Sequence, residues 1–262
     1  MLAVSREKDK SSAHNSVRRS TPCHTVGMTA IQGARERARR EISTAIKEEA
    51  RRRLAEEGAN RLSLRAVARE LGMASSAIYR YFPSRDELLT ALIVDAYDAL
   101  GEAAEQAAAR APRTEPVARW LGACRAVRSW ALAHPHEFGL VHGTPVPGYA
   151  APPQRTGVPG TRVPRALLGV ALDAHRDGLL GEGRFGPLPD AVRAEAEALA
   201  ADNAPGLPAA AMAGVTAAWA QLIGLVAFEV FGQYHNVVHA REEFFTHAAT
   251  RLAAEVGLVP AG

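Results

Sequence analysis

Hydrophobic side chains recur along this chain at intervals of three and four residues, the spacing that places them on one face of an α-helix. The first stripe runs through Ile42, Ile46 and Leu54 and predicts a helix from about residue 33 to residue 57. Later stripes predict helices over 84–110, 115–134, 161–177, 190–202, 208–232 and 240–256. No segment alternates with the period of two that a half-buried strand requires, so we expect an all-α protein.

Between the first two long helices the pattern shortens into two brief helices. Ser63 is placed to cap the first of them, and Ser75 is placed to cap the second. Gly72 permits the turn between them, and Pro83 ends the second. The sequence over 84–87 is a capping box that opens the next long helix. Two short helices joined by a glycine turn and packed on a longer first helix form a helix-turn-helix.

Charge is distributed unevenly, although the formal net charge is only +3. Residues 1–90 contain 18 Lys and Arg against 11 Asp and Glu, whereas residues 91–262 contain 13 against 17. A basic first part and a mildly acidic second part indicate that the first part meets a polyanion. We expect a disordered basic tail over 1–30, a helix-turn-helix DNA-binding domain over 31–83, and a larger helical ligand-binding and dimerisation domain over 84–262.

The composition argues against several other classes. The two cysteines, Cys23 and Cys124, make neither a disulfide framework nor a zinc-ligand pattern, so we expect a cytoplasmic protein without metal or cofactor. No apolar run reaches the roughly 20 residues of a membrane helix, so we expect no membrane contact. The N-terminus has no hydrophobic signal core. A start at Met28 rather than Met1 stays open, because the first helical pattern follows Met28 closely.

The outward face of the second short helix carries the side chains that we expect to read DNA. When such a helix lies in the major groove, its N-terminal end meets the bases. Ala77 can pack against a thymine methyl group, and Arg80 can donate to guanine. The face consists of Ser75, Ser76, Ala77, Tyr79, Arg80 and Tyr81, with Ser63, Arg65 and Arg85 on the flanking helices placed near phosphates.

The stretch RLSLRAVARELGMASSAIYRYFPSRDELLTAL, which starts at Arg61, resembles the DNA-binding domain of TetR-family transcriptional regulators. The resemblance covers about residues 35–90 and is carried by the motifs at 62–65, 71–72 and 78–82. It implies a homodimer shaped like an Ω, a helical ligand-binding domain, and repression relieved by a small molecule. It also implies phosphate contacts at Ser63, Tyr79 and Arg85, and base contacts at Arg65, Ser75, Ser76, Ala77 and Arg80.

The segment LVHGTPVPGYAAP, residues 140–152, points to a different class. Its His142 to Pro145 match the His-Gly-x-Pro loop that many α/β-hydrolases place beside an oxyanion hole. Such an enzyme also needs a nucleophile on a strand-to-helix turn flanked by glycines. After Ser84 the one serine is Ser129, which lies in a helical pattern. We therefore expect no catalytic residues and keep a small-molecule hydrolase as the alternative function.

The same segment also resembles the C-terminal domain of a TetR subgroup named for its Trp, His and Gly residues. Trp130, His134 and Gly143 fit that name, and the resemblance extends over about 115–235. A small-molecule site in a helical domain is a concave apolar cavity with few polar groups. We expect its walls and polar anchors among Trp120, Trp130, His134, Phe138, His142, Tyr149, Trp219 and Phe228. For each of these residues alone, a place in the core is the alternative.

A palindromic DNA operator requires a two-fold symmetric protein, so we expect a homodimer. The predicted helix over 208–232 is apolar almost all round, and the helix over 240–256 carries Phe244 and Phe245. We expect both helices to form a four-helix bundle with a second copy, against the alternative of an intramolecular core. The effector, the operator and the sign of regulation stay open, and an activator or a regulator that needs no ligand shares this fold.

Overall fold

The computed structural model describes residues 25–259, with side chains from Gly33 onward. The helices are α1 Thr25–Glu57, α2 Leu64–Glu70, α3 Arg85–Arg110, α4 Pro116–Ala133, α5 Pro135–His142, α6 Pro153–Gly160, α7 Arg162–Arg176, α8 Asp190–Asn203, α9 Ala209–Val230 and α10 Arg241–Val256. Within the described range, the extended pairing consists of one isolated bridge between Leu180 and Leu258. The all-α prediction is confirmed.

The chain divides into two compact units, Met1–Ile42 and Ser43–Gly262. In the first unit the described part is the beginning of α1, which starts at Thr25 rather than near residue 33. Most of the predicted basic tail over 1–30 lies outside the described residues. The second unit contains the helix-turn-helix segment and all the later helices, so a domain boundary at residue 84 remains a prediction.

The first short helix of the helix-turn-helix forms as predicted. α2 buries Leu64, Val67 and Ala68, and Ser63 precedes it with an extended backbone, although its side chain makes no capping hydrogen bond. Gly72 follows with a φ of 64°, a left-handed conformation that other residues adopt at a cost. The turn after α2 therefore depends on this glycine.

The second short element is not the predicted α-helix. Turns lead into a 3₁₀ helix over Ile78–Arg80, in which the N–H of Tyr81 donates to the carbonyl of Ile78 at 2.9 Å. Pro83 disfavours the α conformation at the residue before it, and few residues remain between Gly72 and Pro83 to nucleate an α-helix. The inward anchors Ile78 and Phe82 are buried nevertheless, so the outward face keeps its predicted side chains.

α3 begins with half of the predicted capping box. The hydroxyl oxygen of Ser84 accepts from the backbone N–H of Glu87 at 3.1 Å. The carboxylate of Glu87 does not turn back to the Ser84 N–H that a complete box requires; it binds Arg155 of α6 at 2.7 Å. Further along, α3 packs against α4, α5, α6 and α7. It thus runs from the helix-turn-helix into the C-terminal core.

Two helices occupy segments in which the sequence pattern indicated none. α5 and α6 each begin with a proline at the first helical position, where the missing N–H costs nothing. Both are eight residues long, and α6 contains Gly157 and Pro159 in its interior. A short helix of that composition has little stability of its own, and packing against α3 supplies it.

α9 is a 22-residue helix that is long and apolar enough, by length and composition, to cross a membrane. From the sequence we expected no apolar segment long enough to cross a membrane. Within the described residues α9 packs against α4, α7, α8 and α10 and buries Met212, Val215, Leu222 and Val226. These contacts are those of a core helix, which passes the same test of composition.

Candidate DNA interface and ligand clefts

The predicted DNA-reading side chains lie on the surface of the helix-turn-helix. Ser63, Arg65, Ser75, Ser76, Tyr79 and Arg80 are exposed, and Ala77 and Tyr81 are partly buried. α2 packs against the 3₁₀ helix, which brings the two groups of side chains together. Because Ile78 and Phe82 point into the core, the intervening residues are turned outward. The arrangement presents hydroxyl, guanidinium and phenol groups to solvent.

Arg85 has a role that the sequence did not reveal. Its Nη2 donates to the carbonyl oxygen of Ala59 at 2.9 Å, and its Nη1 lies 3.5 Å from the carboxylate of Asp86. Ala59 belongs to the short turn after α1, so the guanidinium joins that turn to the start of α3. A phosphate contact at Arg85 remains a prediction. The structure shows in addition that Arg85 connects α3 to the turn after α1.

Sequence reasoning also missed an ion-pair cluster that joins the end of α1 to the C-terminal helices. Arg51 donates to Asp95 of α3 at 2.6 Å and to Glu137 of α5 at 2.9 Å. Lys47 binds the same Asp95 oxygen at 2.7 Å. All four side chains are partly buried, so water screens these contacts less than it screens exposed pairs.

The eight predicted ligand-binding side chains do not converge on one cavity. Trp120 and Phe138 are fully buried in the core, and the indole N–H of Trp120 donates to the carbonyl of Ala249 at 3.2 Å. Trp130 stacks on His134 with ring centroids 4.9 Å apart, and His134 Nδ1 donates to the Trp130 carbonyl at 2.9 Å. Trp120 and Phe138 therefore belong to the core, and Trp130 packs against it. His134 binds a carbonyl at the C-terminal end of α4.

His142 lies in an aromatic cluster at the end of α5. Its ring centroid is 5.1 Å from that of Phe138 and 5.9 Å from that of Tyr97. Burial lowers the pKa of His142 to about 4, so the ring is neutral near pH 7. The next residue, Gly143, closes α5 so tightly that a Cβ would clash with the carbonyl oxygen of Gly139. His142 to Pro145 thus form the end of α5 and the start of the loop after it, and no strand lies beside them among the described residues.

Tyr149 lines a cleft of about 440 Å³ that we call the loop cleft. Its walls come from α3, α5, α6 and the loop over 143–152. The lining residues are Ile93, Tyr97, Leu140, Val141, Pro145, Val146, Tyr149, Ala151, Pro153, Thr156, Gly157 and Gly160. The hydroxyls of Tyr149 and Thr90 are 2.9 Å apart, which links the loop to α3.

The remaining two predicted residues lie elsewhere. Trp219 lines a groove of about 470 Å³ between α6, α7, α8 and α9, which we call the α8–α9 groove. Phe228 lies nine residues further along α9, on the opposite side at about 100° per residue, and is 53% exposed. Among the described residues, no group of three or more His, Cys, Asp and Glu side chains is placed to hold a metal ion.

An exposed helix-turn-helix joined to a larger helical domain with apolar clefts defines a DNA-binding transcriptional regulator of the two-domain type. Residues 46–92 match the model for bacterial regulatory proteins of the tetR family, and residues 120–252 match the tetracyclin repressor-like C-terminal domain. The chain belongs to the TetR family, as its sequence predicted.

Known relatives agree with this assignment. The HTH-type transcriptional regulators Rv1816 of Mycobacterium tuberculosis and Mb1846 of Mycobacterium bovis are each 41% identical over 234 residues, which cover 86% of this chain and 95% of theirs. The crystal structure of regulatory protein SCO4313 is 31% identical with a TM-score of 0.66, covering 83% of this chain and 97% of that one. The TetR family regulator PfmR of Thermus thermophilus, 18% identical with a TM-score of 0.52 over 80% of this chain and 97% of its own, shares the fold.

Proposed function

We propose that this protein is a cytoplasmic, ligand-responsive repressor that binds a palindromic operator as a homodimer and is released by a small apolar effector. The observation that carries the proposal is the exposed face of the helix-turn-helix, held outward by Ile78 and Phe82. Ser75, Ser76 and Ala77 at its start permit close approach to bases, and Arg80 can donate to guanine. Exposed Ser63 and Arg65 add contacts to the phosphate backbone.

Exposed apolar side chains on α9 and α10 support the homodimer. Phe228 and Phe244 are 53% and 41% exposed. Tyr234 lies between them, with centroids 5.8 Å from Phe228 and 5.7 Å from Phe244 in edge-to-face arrangements. Such a patch on one side of two helices favours burial against a second copy in a four-helix bundle. The partner copy would place a second recognition surface about 34 Å away, one turn of DNA.

α3 supplies a route from ligand to DNA. Arg85 at its first position contacts the turn after α1, and Ile93 and Tyr97 further along line the loop cleft. A ligand that binds one tilt of α3 better than another shifts the population toward that tilt. The recognition surface is attached to the start of α3. The spacing between the two recognition surfaces of a dimer therefore changes when α3 tilts.

The test is fluorescence anisotropy with DNA from upstream of the protein's own gene, over a series of salt concentrations. We expect the logarithm of the affinity to fall linearly with the logarithm of salt concentration, because cations leave the phosphates on binding. Arg80→Ala should cost about 1–3 kcal/mol of binding free energy. The matched control is Arg176→Ala, which removes an exposed arginine from the end of α7. Absence of DNA binding at every salt concentration, or equal losses in both variants, would contradict the proposal.

A further inference from the structure

We propose that the loop cleft is the effector site and that it selects an uncharged ligand that donates a hydrogen bond. The inference rests on the proposed function and specifies the chemistry of its effector. At about 440 Å³ the cleft falls within the range of sites for small organic molecules. Its position against α3, α5 and α6 places the ligand beside the helix that leads to the recognition surface.

The lining of the loop cleft has no ionised side chain. Its twelve residues are aliphatic, glycine, proline, threonine or tyrosine. Burial raises the pKa of the Tyr97 phenol, which therefore stays protonated at neutral pH. An anionic ligand would lose its hydration here without gaining a cation, and such a loss is expensive in an apolar site. The cleft thus disfavours carboxylates and phosphates.

The hydroxyl protons around the cleft are already engaged within the protein. Tyr97 donates to the carbonyl of Val141 at 3.2 Å, and Thr156 donates to the carbonyl of Pro152 at 3.0 Å. Each hydroxyl has one proton and two lone pairs. The oxygens of these two side chains therefore offer a ligand lone pairs only.

The direction of the Tyr149 hydrogen bond follows from the same accounting. Thr90 donates its single proton to the carbonyl of Asp86 at 2.8 Å. In the 2.9 Å contact between the two hydroxyls, we infer that Thr90 accepts and Tyr149 donates. Tyr149 consequently faces the cleft as an acceptor, and a ligand O–H or N–H is the group that complements it.

This chain of hydrogen bonds also connects the ligand to α3. It runs from Tyr149 through Thr90, which is 1% exposed, to the carbonyl of Asp86 in the first turn of the helix. Asp86 follows Arg85, whose guanidinium holds the turn after α1. A ligand that donates a hydrogen bond to Tyr149 is therefore connected to the recognition surface by a continuous series of contacts.

Three matched probes test the selectivity by isothermal titration calorimetry. They are 2-naphthol, which donates, 2-methoxynaphthalene, which only accepts, and 2-naphthoate, which is anionic. We expect the methyl ether to bind about three- to tenfold more weakly than 2-naphthol, the range of one net hydrogen bond. We expect 2-naphthoate to bind more than about a hundredfold more weakly, because its charge finds no partner. Equal or tighter binding of 2-naphthoate, or no saturable binding of 2-naphthol, would overturn the proposal.

Variants locate the site. Tyr149→Phe should remove the preference for 2-naphthol over its methyl ether, whereas the matched change Tyr234→Phe, outside the cleft, should preserve it. If Trp219→Phe weakens 2-naphthol binding and Tyr149→Phe does not, the probe occupies the α8–α9 groove and the assignment is wrong. Melting temperatures of all variants are measured alongside, so that loss of folding is recognised.

Thr90→Val tests the path to α3, because Thr90 does not line the cleft but forms the hydrogen bond that links Tyr149 to this helix. We expect the variant to bind 2-naphthol within about threefold of the wild type, the loss of at most one weak hydrogen bond, but to show a smaller drop in DNA affinity on adding the probe. An unchanged drop would contradict the path through Asp86. If the free protein binds no DNA, the proposed function fails, while the ranking of the three probes still tests the chemistry of the cleft.

Discussion

The salt-bridge cluster between α4, α9 and α10 offers a quantitative test of the packing of the helices that carry the proposed dimer face. Arg128 donates to both carboxylate oxygens of Glu229, at 2.6 and 2.8 Å, and also binds Glu242. The side chains of Arg128 and Glu229 are 11% and 6% exposed, whereas that of Glu242 is 64% exposed. The pair with Glu229 is therefore the energetically important one, and the contact with Glu242 is screened by water.

Arg128→Met keeps the aliphatic stem but leaves the Glu229 carboxylate buried without its cation. Breaking a buried pair in this way costs about 3–5 kcal/mol of folding free energy. The double variant Arg128→Met/Glu229→Leu removes the orphaned charge as well, so its stability should return to within about 2 kcal/mol of the wild type. The control Glu242→Gln breaks only the exposed contact and should cost less than about 1 kcal/mol.

Urea denaturation followed by circular dichroism at 222 nm measures these differences at one fixed protein concentration, since the proposed dimerisation would contribute to apparent stability. A loss below about 1 kcal/mol in Arg128→Met would show that water reaches Glu229. A double variant no more stable than the single one would show that the unpaired charge of Glu229 is not what destabilises Arg128→Met.

Three further predictions test the end of α5, the proposed dimer interface and the partly buried histidine His142. Gly143→Ala should lower stability by about 1–3 kcal/mol in thermal unfolding, because its Cβ meets the Gly139 carbonyl; an unchanged melting temperature would show that α5 relaxes. Phe228→Lys should give a monomer in sedimentation velocity, and a persistent dimer would place the interface elsewhere. Because the folded pKa of His142, about 4, lies below its ordinary value of 6.5, folding stability should fall as pH drops from 6.5 to 4, by at most about 3 kcal/mol. His142→Leu should flatten that decline, and an equally steep decline would assign it to other groups.

The outward face of the helix-turn-helix was predictable because it depends on local rules. The spacing of Leu64, Val67, Ile78 and Phe82 determines which residues point inward, and the residues between them then point outward even though the second element is a 3₁₀ helix. A 3₁₀ helix rotates more per residue than an α-helix, but Ile78 and Phe82 are still the residues that are buried. Arg85 shows the limit of this reasoning, because its partner is the carbonyl of Ala59, 26 residues earlier.

The sequence indicated candidate ligand-binding residues by their type, but not where a cavity lies. Trp120, Tyr149 and Trp219 are alike in a sequence, yet one is in the core, one lines the loop cleft and one lines the α8–α9 groove. A cavity forms where several helices meet without filling the space between them. The helices that line each cleft are far apart in sequence, so no local pattern reveals the cavity. Tyr97 and Thr90 gave no signal, because within α3 they continue the pattern of an ordinary buried face.

The sequence by itself determined the all-helical class, the positions of most helices, the outward face of the helix-turn-helix and the family, because periodicity, caps and a continuous motif are local properties. Only the tertiary structure decided that α5 and α6 are helices, that three predicted ligand residues lie in three different places, and that the hydroxyls of Tyr149 and Thr90 form a hydrogen bond. These features depend on which surfaces pack against α3. The free energy of that packing is shared among distant segments and leaves no signature in any one of them.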